Sequence, residues 1–300
     1  DGGNRGFRPA GIGSVSTTWS NADGSPLQDR ETPPRPPDLV EQYEMLGDEL
    51  DPVPPHQPAF VPAMREYFRE ARKLSRTLME ITACALGLRR DHFAAAYGEP
   101  SELNRLHAAH YPPAGGQQPH APADSRGPGG EPVAIRRGEH SDFEALTILW
   151  HDQPGLQVQT ATGWADVRPV AGALTVNAGD LLQLWSNDVL RTCVHRVANA
   201  PDAGRLSLTM FTGPSADTVI TPLPSCVSAE RPPRYEDIVA AEHVERKLLA
   251  SGNIGVSTSP AAGPPSRPRH LTLRVGRGAH GRLGRVRAQL CPTRCRTDLA

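Results

Sequence analysis

Three hundred residues allow one large domain or two ordinary ones. Lysine and arginine total 32 against 33 aspartates and glutamates, a balance that gives no reason to expect specific nucleic-acid binding or a membrane surface. No apolar run approaches the roughly 20 residues that cross a bilayer, and the cysteines at 84, 193, 226, 291 and 295 are too few and irregular for a disulfide framework, which predicts reduced thiols in a cytoplasmic protein.

Residues 1–38 are rich in Gly, Ser and Pro and read as a long loop. Asp38 to Leu46 predicts a short helix with Asp38 as its cap. From about Pro58 to Leu88 the apolar positions Phe60, Met64, Phe68, Ala71, Leu74, Leu78, Ile81 and Ala85 recur at three and four. That spacing predicts a long scaffold helix stopped near Gly87, followed by a second short helix from Arg90 to Tyr97. Leu103 to Tyr111 predicts a strand, and the Gly/Pro/Ala-rich stretch from Pro112 to Pro132 a loop or linker.

Val133 to Phe211 shows short β-rich runs with turn signals every eight to twelve residues, an all-β pattern. The predicted strands are 147–150, 156–159, 163–167, 174–177, 181–184, 192–197 and 206–211. Asn177 to Asp180 predicts a tight returning turn that uses the backbone freedom of Gly179, and Asn187 and Asp188 read as hairpin-turn residues. His151 reads as solvated, His110 as a residue that could border a pocket, and Trp185 and Phe211 as core or pocket lining. Tyr235 to Leu249 predicts a terminal helix. Residues 253–300 contain nine Arg, no Lys and Asp298 as their one acid, a composition that predicts disorder.

The chemistry-bearing residues lie between Gly138 and Ser207. In a strand, residues two apart share a face, so His140 and Asp142 can reach one metal from one side. His195 lies in a separate β-rich run that another part of the sheet can bring opposite. Two imidazoles and one carboxylate on one face leave the other metal positions open, as in non-haem Fe(II) oxygenases. Arg205 and Ser207 share a face by the same rule and form a clamp for a carboxylate, the guanidinium bidentately and the hydroxyl as one more donor.

The runs GEHSDFEALTIL, PGLQV, GWADV, VNAGDLLQLWSND, CVHRV and RLSLTMF, in this order, resemble the 2-oxoglutarate- and Fe(II)-dependent dioxygenase superfamily in its isopenicillin N synthase-like branch. The resemblance runs from about Arg5 to Ser251 and is strongest from Leu103 to Pro214. It implies a mainly β fold with flanking helices around a double-stranded β-helix, or jelly roll. It implies His140, Asp142 and His195 as the catalytic iron ligands, and Arg205 and Ser207 as the holders of the distal carboxylate of 2-oxoglutarate. Tyr111 matches the second Tyr of the family's Asn-Tyr-Tyr-Pro strand end, whereas Ala109 replaces its Asn and removes one expected contact. The implied cofactors are Fe(II), 2-oxoglutarate as cosubstrate and O2. The implied reaction hydroxylates, desaturates or cyclises a small molecule with release of succinate and CO2, and the implied state is a monomer. The organisation expected is an N-terminal loop and helical part at 1–102, a jelly-roll core at 103–251 and a disordered tail at 252–300. Phe7 to Gly11 matches a segment that lies well inside the family's domain, so the opening strands are expected to be missing. Two alternatives stand beside this: an isopenicillin N synthase-type oxidase without 2-oxoglutarate, and an inactive truncated metal-binding relative.

Overall fold

A computed structural model describes residues 6–11, 38–46, 59–98, 103–113, 126–130, 133–198, 204–250 and 287–290. Its elements in chain order are β1 (Gly6–Arg8), β2 (Glu41–Leu46), α1 (Phe60–Ala85), β3 (Arg105–Tyr111), β4 (Ile135–His140), β5 (Leu146–His151), β6 (Leu156–Thr160), β7 (Gly163–Val167), β8 (Ala173–Ala178), α2 (Asp180–Trp185), β9 (His195–Ala198), β10 (Arg205–Thr212), β11 (Val219–Ile220), β12 (Ile238–Val239), α3 (Ala240–Ala250) and β13 (Arg287–Leu290). A seven-stranded sheet runs β1-β2-β3-β10-β5-β8-β13, and a four-stranded sheet runs β4-β9-β6-β7. All pairings in these two sheets are antiparallel except β13 with β8.

The long helix forms where the apolar spacing places it. Met64, Phe68, Ala71, Leu78, Met79 and Ala83 are buried on one face. Phe68 at 1% exposure contributes about 2 kcal/mol by burial. Pro62 falls in the first turn, where its missing N–H leaves no intrahelical bond unmade. The exit is a Schellman turn: Leu88 N–H donates to Ala83 O at 2.9 Å and Gly87 N–H to Cys84 O at 3.1 Å, with Gly87 at φ +71°. Ile81 was expected on the buried stripe but is exposed, because the buried face turns toward Met79 and Ala83.

Several local expectations fail. The predicted helix over 38–46 is strand β2, whose register against β3 pairs Tyr43 with Ala108 and Met45 with Leu106. Tertiary pairing overrides the local helical pattern there. Residues 90–97 form successive turns joined by i→i+3 bonds rather than a helix. The predicted strand over 181–184 is α2, which buries Leu181, Leu182 and the hydrogen-bonded Gln183. Gly179 therefore opens a helix instead of a hairpin turn. Its φ of −106° needs no glycine, but a Cβ there would sit 2.2 Å from Glu144 O and 3.0 Å from Asp142 O. Asn187 and Asp188 do adopt left-handed φ of 49° and 66°, but in the loop after α2. The tail forms strand β13 on the free edge of β8 where disorder was expected; the rest of 252–300, like most of the loop at 112–132, lies outside the described residues.

Candidate metal centre

The four-stranded sheet brings the two histidines together. His140 ends β4 and is the direct cross-strand partner of His195 at the start of β9, beyond a register shift between Arg137 and His140. Such irregularities re-aim side chains beside active sites. The two rings stand 4.2 Å apart between centroids. Asp142 is not on the strand. The chain bends after His140, and Asp142 Oδ1 comes to 3.9 Å from His140 Nε2 and 3.6 Å from His195 Nε2. The i, i+2 reasoning thus named two residues that do lie close together, but for a reason the backbone does not use. One ligand atom from each of the three residues lies within 4.8 Å of the others.

Each ligand is oriented by a hydrogen bond on its far side. His140 Nδ1 lies 2.8 Å from Gly138 O, and His195 Nδ1 lies 2.8 Å from Cys193 O. A carbonyl oxygen only accepts, so each Nδ1 carries the proton and each Nε2 presents its lone pair inward. Burial first, and then the neighbouring His195, hold the His140 pKa well below the ordinary imidazole range, so it is neutral and ready to ligate. Asp142 Oδ2 accepts from Thr147 Oγ1 at 2.6 Å and from Asn177 Nδ2 at 2.8 Å, which leaves Oδ1 for the histidines. Thr147 on β5 and Asn177 on β8 belong to the seven-stranded sheet, so the centre is built by both sheets. The donor set is two imidazoles and one carboxylate, which suits a divalent iron with open positions.

The loop that carries Asp142 is held by α2. Asp180 N–H donates to Asp142 O at 2.8 Å, and Gly179 N–H to Ala145 O at 2.9 Å. The Asp180 carboxylate in turn meets Lys247 Nζ at 3.0 Å and His243 Nε2 at 3.3 Å on α3. Burial alone would raise this carboxyl, but His243 and Lys247 hold its pKa down at about 2. Asp180 is therefore an ion-pair anchor between helices, beyond the turn role expected of it. Behind the ligands, Arg105 pairs with Glu144 at 2.6 Å.

A cavity of about 610 Å³, counting its open mouth, is lined by the three ligand residues together with Arg205, Ser207, Tyr111, Arg137 and Phe211. Arg205 and Ser207 do share the inward face of β10, with Leu206 between them exposed. Arg205 Nη1 donates to Ser207 Oγ at 3.3 Å, and its guanidinium lies 5.0 Å over the Tyr111 ring, its register partner on β3. Ala109 stands opposite Ser207 and packs in a small apolar cluster with Val40, Tyr111 and Val197. His110 faces away and pairs with Glu41 at 3.0 Å. His151 is buried, contrary to expectation, with Nδ1 donating to Gln153 O at 2.9 Å. Phe211 lines the cavity, whereas Trp185 packs in the core against Phe93. Thr147 and Arg137 were not singled out from the sequence, and Asn177 was read only as a turn residue. Their signal was polar residues inside β-rich runs, where alternation forces one of any adjacent pair inward.

The model of the 2OG-Fe(II) oxygenase superfamily matches residues 101–214. Jasmonate-induced oxygenase 2 of Arabidopsis thaliana is 31% identical over 257 residues, covering 77% of this chain and 66% of that protein. The chain belongs to the 2OG-Fe(II) oxygenase superfamily. Gibberellin 20 oxidase 3 of Oryza sativa subsp. japonica is 33% identical over 69% of this chain and 50% of its own length, so the chain spans about half to two thirds of these relatives. Among solved structures, a full-length Neurospora crassa protein in complex with alpha-KG aligns with TM-score 0.64 and 27% identity over 83% of this chain and 76% of that one. A second is JOX2 in complex with 2OG, Fe and JA, with TM-score 0.60 and 26% identity over 84% of this chain and 66% of that one. The two-sheet core of this superfamily member is the jelly roll that the sequence led us to expect.

Proposed function

We propose that this chain is an Fe(II)- and 2-oxoglutarate-dependent oxygenase that oxidises a small organic substrate. One observation carries the reading: three ligand atoms from His140, Asp142 and His195 converge in a cavity that also holds the Arg205–Ser207 pair. The two aligned structures, both holding 2-oxoglutarate, support it. Iron bound there, with O2, supplies the oxidising power, and the cosubstrate is converted to succinate and CO2 as one oxygen atom enters the substrate. The protein's part is positional. His140, Asp142 and His195 hold the metal from one side. Arg205 and Ser207 fix the far carboxylate of 2-oxoglutarate by charge-assisted hydrogen bonds, and the Tyr111 ring beneath the guanidinium keeps it in place. The aliphatic lining from Leu149, Leu156, Val158 and Val197 keeps bulk water from the reacting face.

Cys84 and Cys226 are in no disulfide among the described residues, which supports a reducing compartment. No helix among the described residues is long and apolar enough to cross a membrane. The test is succinate formed per 2-oxoglutarate consumed by Fe(II)-loaded protein, with Asp142→Ala as control. Equal release by the two proteins sinks the proposal, and O2 uptake without 2-oxoglutarate loss transfers it to the oxidase class.

A further inference from the structure

The cavity contains a second cation that the reading above does not use. Arg137 lies on β4, three residues before His140, and lines the same space as Arg205. Its Nε is sealed from solvent and finds no acceptor among the described residues; the Nε of Arg205 is in the same condition. A buried N–H without a partner costs about 1–3 kcal/mol, and more when it belongs to a charge. Two such donors in one cavity call for two anionic groups. Burial disfavours the Arg137 charge, yet Tyr111, Asp38 and Asp142 outweigh it and keep the guanidinium ionised.

A single molecule of 2-oxoglutarate does not serve both arginines. Its 2-oxo acid end belongs at the metal, and its far carboxylate belongs at Arg205 and Ser207. Arg137 is then left over, with its Nε still without an acceptor among the described residues. The same cavity also has apolar lining, with Val158, Val167 and Phe211 among its members.

We propose that Arg137 sets substrate class: it receives a carboxylate on the substrate, whose apolar body packs against the aliphatic and aromatic lining. The proposal rests on the oxygenase reading and deepens it. Arg137 is a specificity residue here, in contact with substrate and separate from the cosubstrate clamp.

The experiment uses the 300-residue chain loaded with Mn(II), which binds without turnover, and follows binding by calorimetry. The first titration is 2-oxoglutarate alone. The second, at saturating 2-oxoglutarate, compares two matched pairs of probes, hexanoate with hexanamide and cyclohexylacetate with cyclohexylacetamide. The wild-type protein should bind at least one acid about tenfold or more tighter than its amide. Arg137→Gln should erase that preference, Arg137→Lys should retain part of it, and both should bind 2-oxoglutarate within about twofold of wild type. Three results overturn the proposal: no acid preference in wild type, an unchanged preference in Arg137→Gln, or loss of 2-oxoglutarate affinity in Arg137→Gln as large as in Arg205→Gln. Failure of 2-oxoglutarate to bind the wild-type protein would sink the oxygenase reading itself, whereas normal binding without an Arg137-dependent preference sinks only the substrate class.

Discussion

The two ends of the cavity are built on opposite plans. At one end acceptors converge: two imidazole lone pairs and a carboxylate oxygen, each turned inward by a hydrogen bond on its outer side. At the other end donors converge: the guanidinium groups of Arg137 and Arg205, each with an Nε that finds no acceptor among the described residues, and the Ser207 hydroxyl. Converging acceptors call for a cation and converging donors for anions. The difference also shows in rigidity of placement. The acceptor end is fixed by backbone carbonyls and by a Thr and an Asn from the facing sheet, as a resident metal requires. The donor end is tied less completely to the chain, as molecules that come and go require.

The largest effect should come from breaking the acceptor end itself. His195→Ala should lower Mn(II) affinity more than about 100-fold, since even outer hydrogen-bond partners are worth about 10–100-fold. A metal titration that changes less than about tenfold would mean the cluster is not the metal site. Next is the donor end. Arg205→Leu should weaken 2-oxoglutarate binding about 30-fold, equivalent to about 2 kcal/mol of charge-assisted hydrogen bonding, and leave metal affinity near wild type. If metal affinity fell equally, the two ends would not be separable. Thr147→Val sharpens the contrast by removing the 2.6 Å bond to Asp142 Oδ2 while keeping shape. It should cost about tenfold in metal affinity with little change in melting temperature, read by the same titration beside calorimetry.

The smallest effect at neutral pH concerns the helix contact behind the acceptor end. Asp180 has its pKa held at about 2 by His243 and Lys247, below the ordinary carboxylate range. The native state therefore binds this proton less readily than the unfolded chain does. Its stabilisation is complete above about pH 4 and lost as pH falls toward about 2. Lys247→Met should flatten the fall in melting temperature over that window. An identical acid profile in the two proteins would mean that Asp180 does not hold α3 against α2 by charge.

Much of the site was legible because its residue types are rare in β-rich runs. A His and an Arg within β-rich runs, with an Asp just past the end of one strand, call for a reason, and the order of the runs supplied one. The all-β pattern followed from strand spacing, the jelly roll from the family resemblance, and α1 from its periodicity. The misses have physical causes. Residues 41–46 pair with β3, a partner more than sixty positions away at most of its length, which outweighs their local helical pattern. The 181–184 run, three leucines around Gln183, is too short to give a period by which to tell a buried helix from a strand. Gly179 mattered through its close approach to Glu144 O, which no local rule foresees. Arg137 escaped notice because Arg136 stands beside it, and only the three-dimensional register says which of the two faces the cavity. Arg136 instead donates to Pro112 O.

The pairing of a cation end with an anion end is tested most directly by anaerobic binding of 2-oxoglutarate in the presence and absence of Mn(II), in wild-type, Asp142→Ala and Arg205→Leu proteins. Tight binding should need both the metal and Arg205, so that wild type without metal and Asp142→Ala with it both bind weakly, and Arg205→Leu binds metal normally but 2-oxoglutarate about 30-fold less well. Metal-independent binding of 2-oxoglutarate, equal in wild type and Asp142→Ala, would contradict the account.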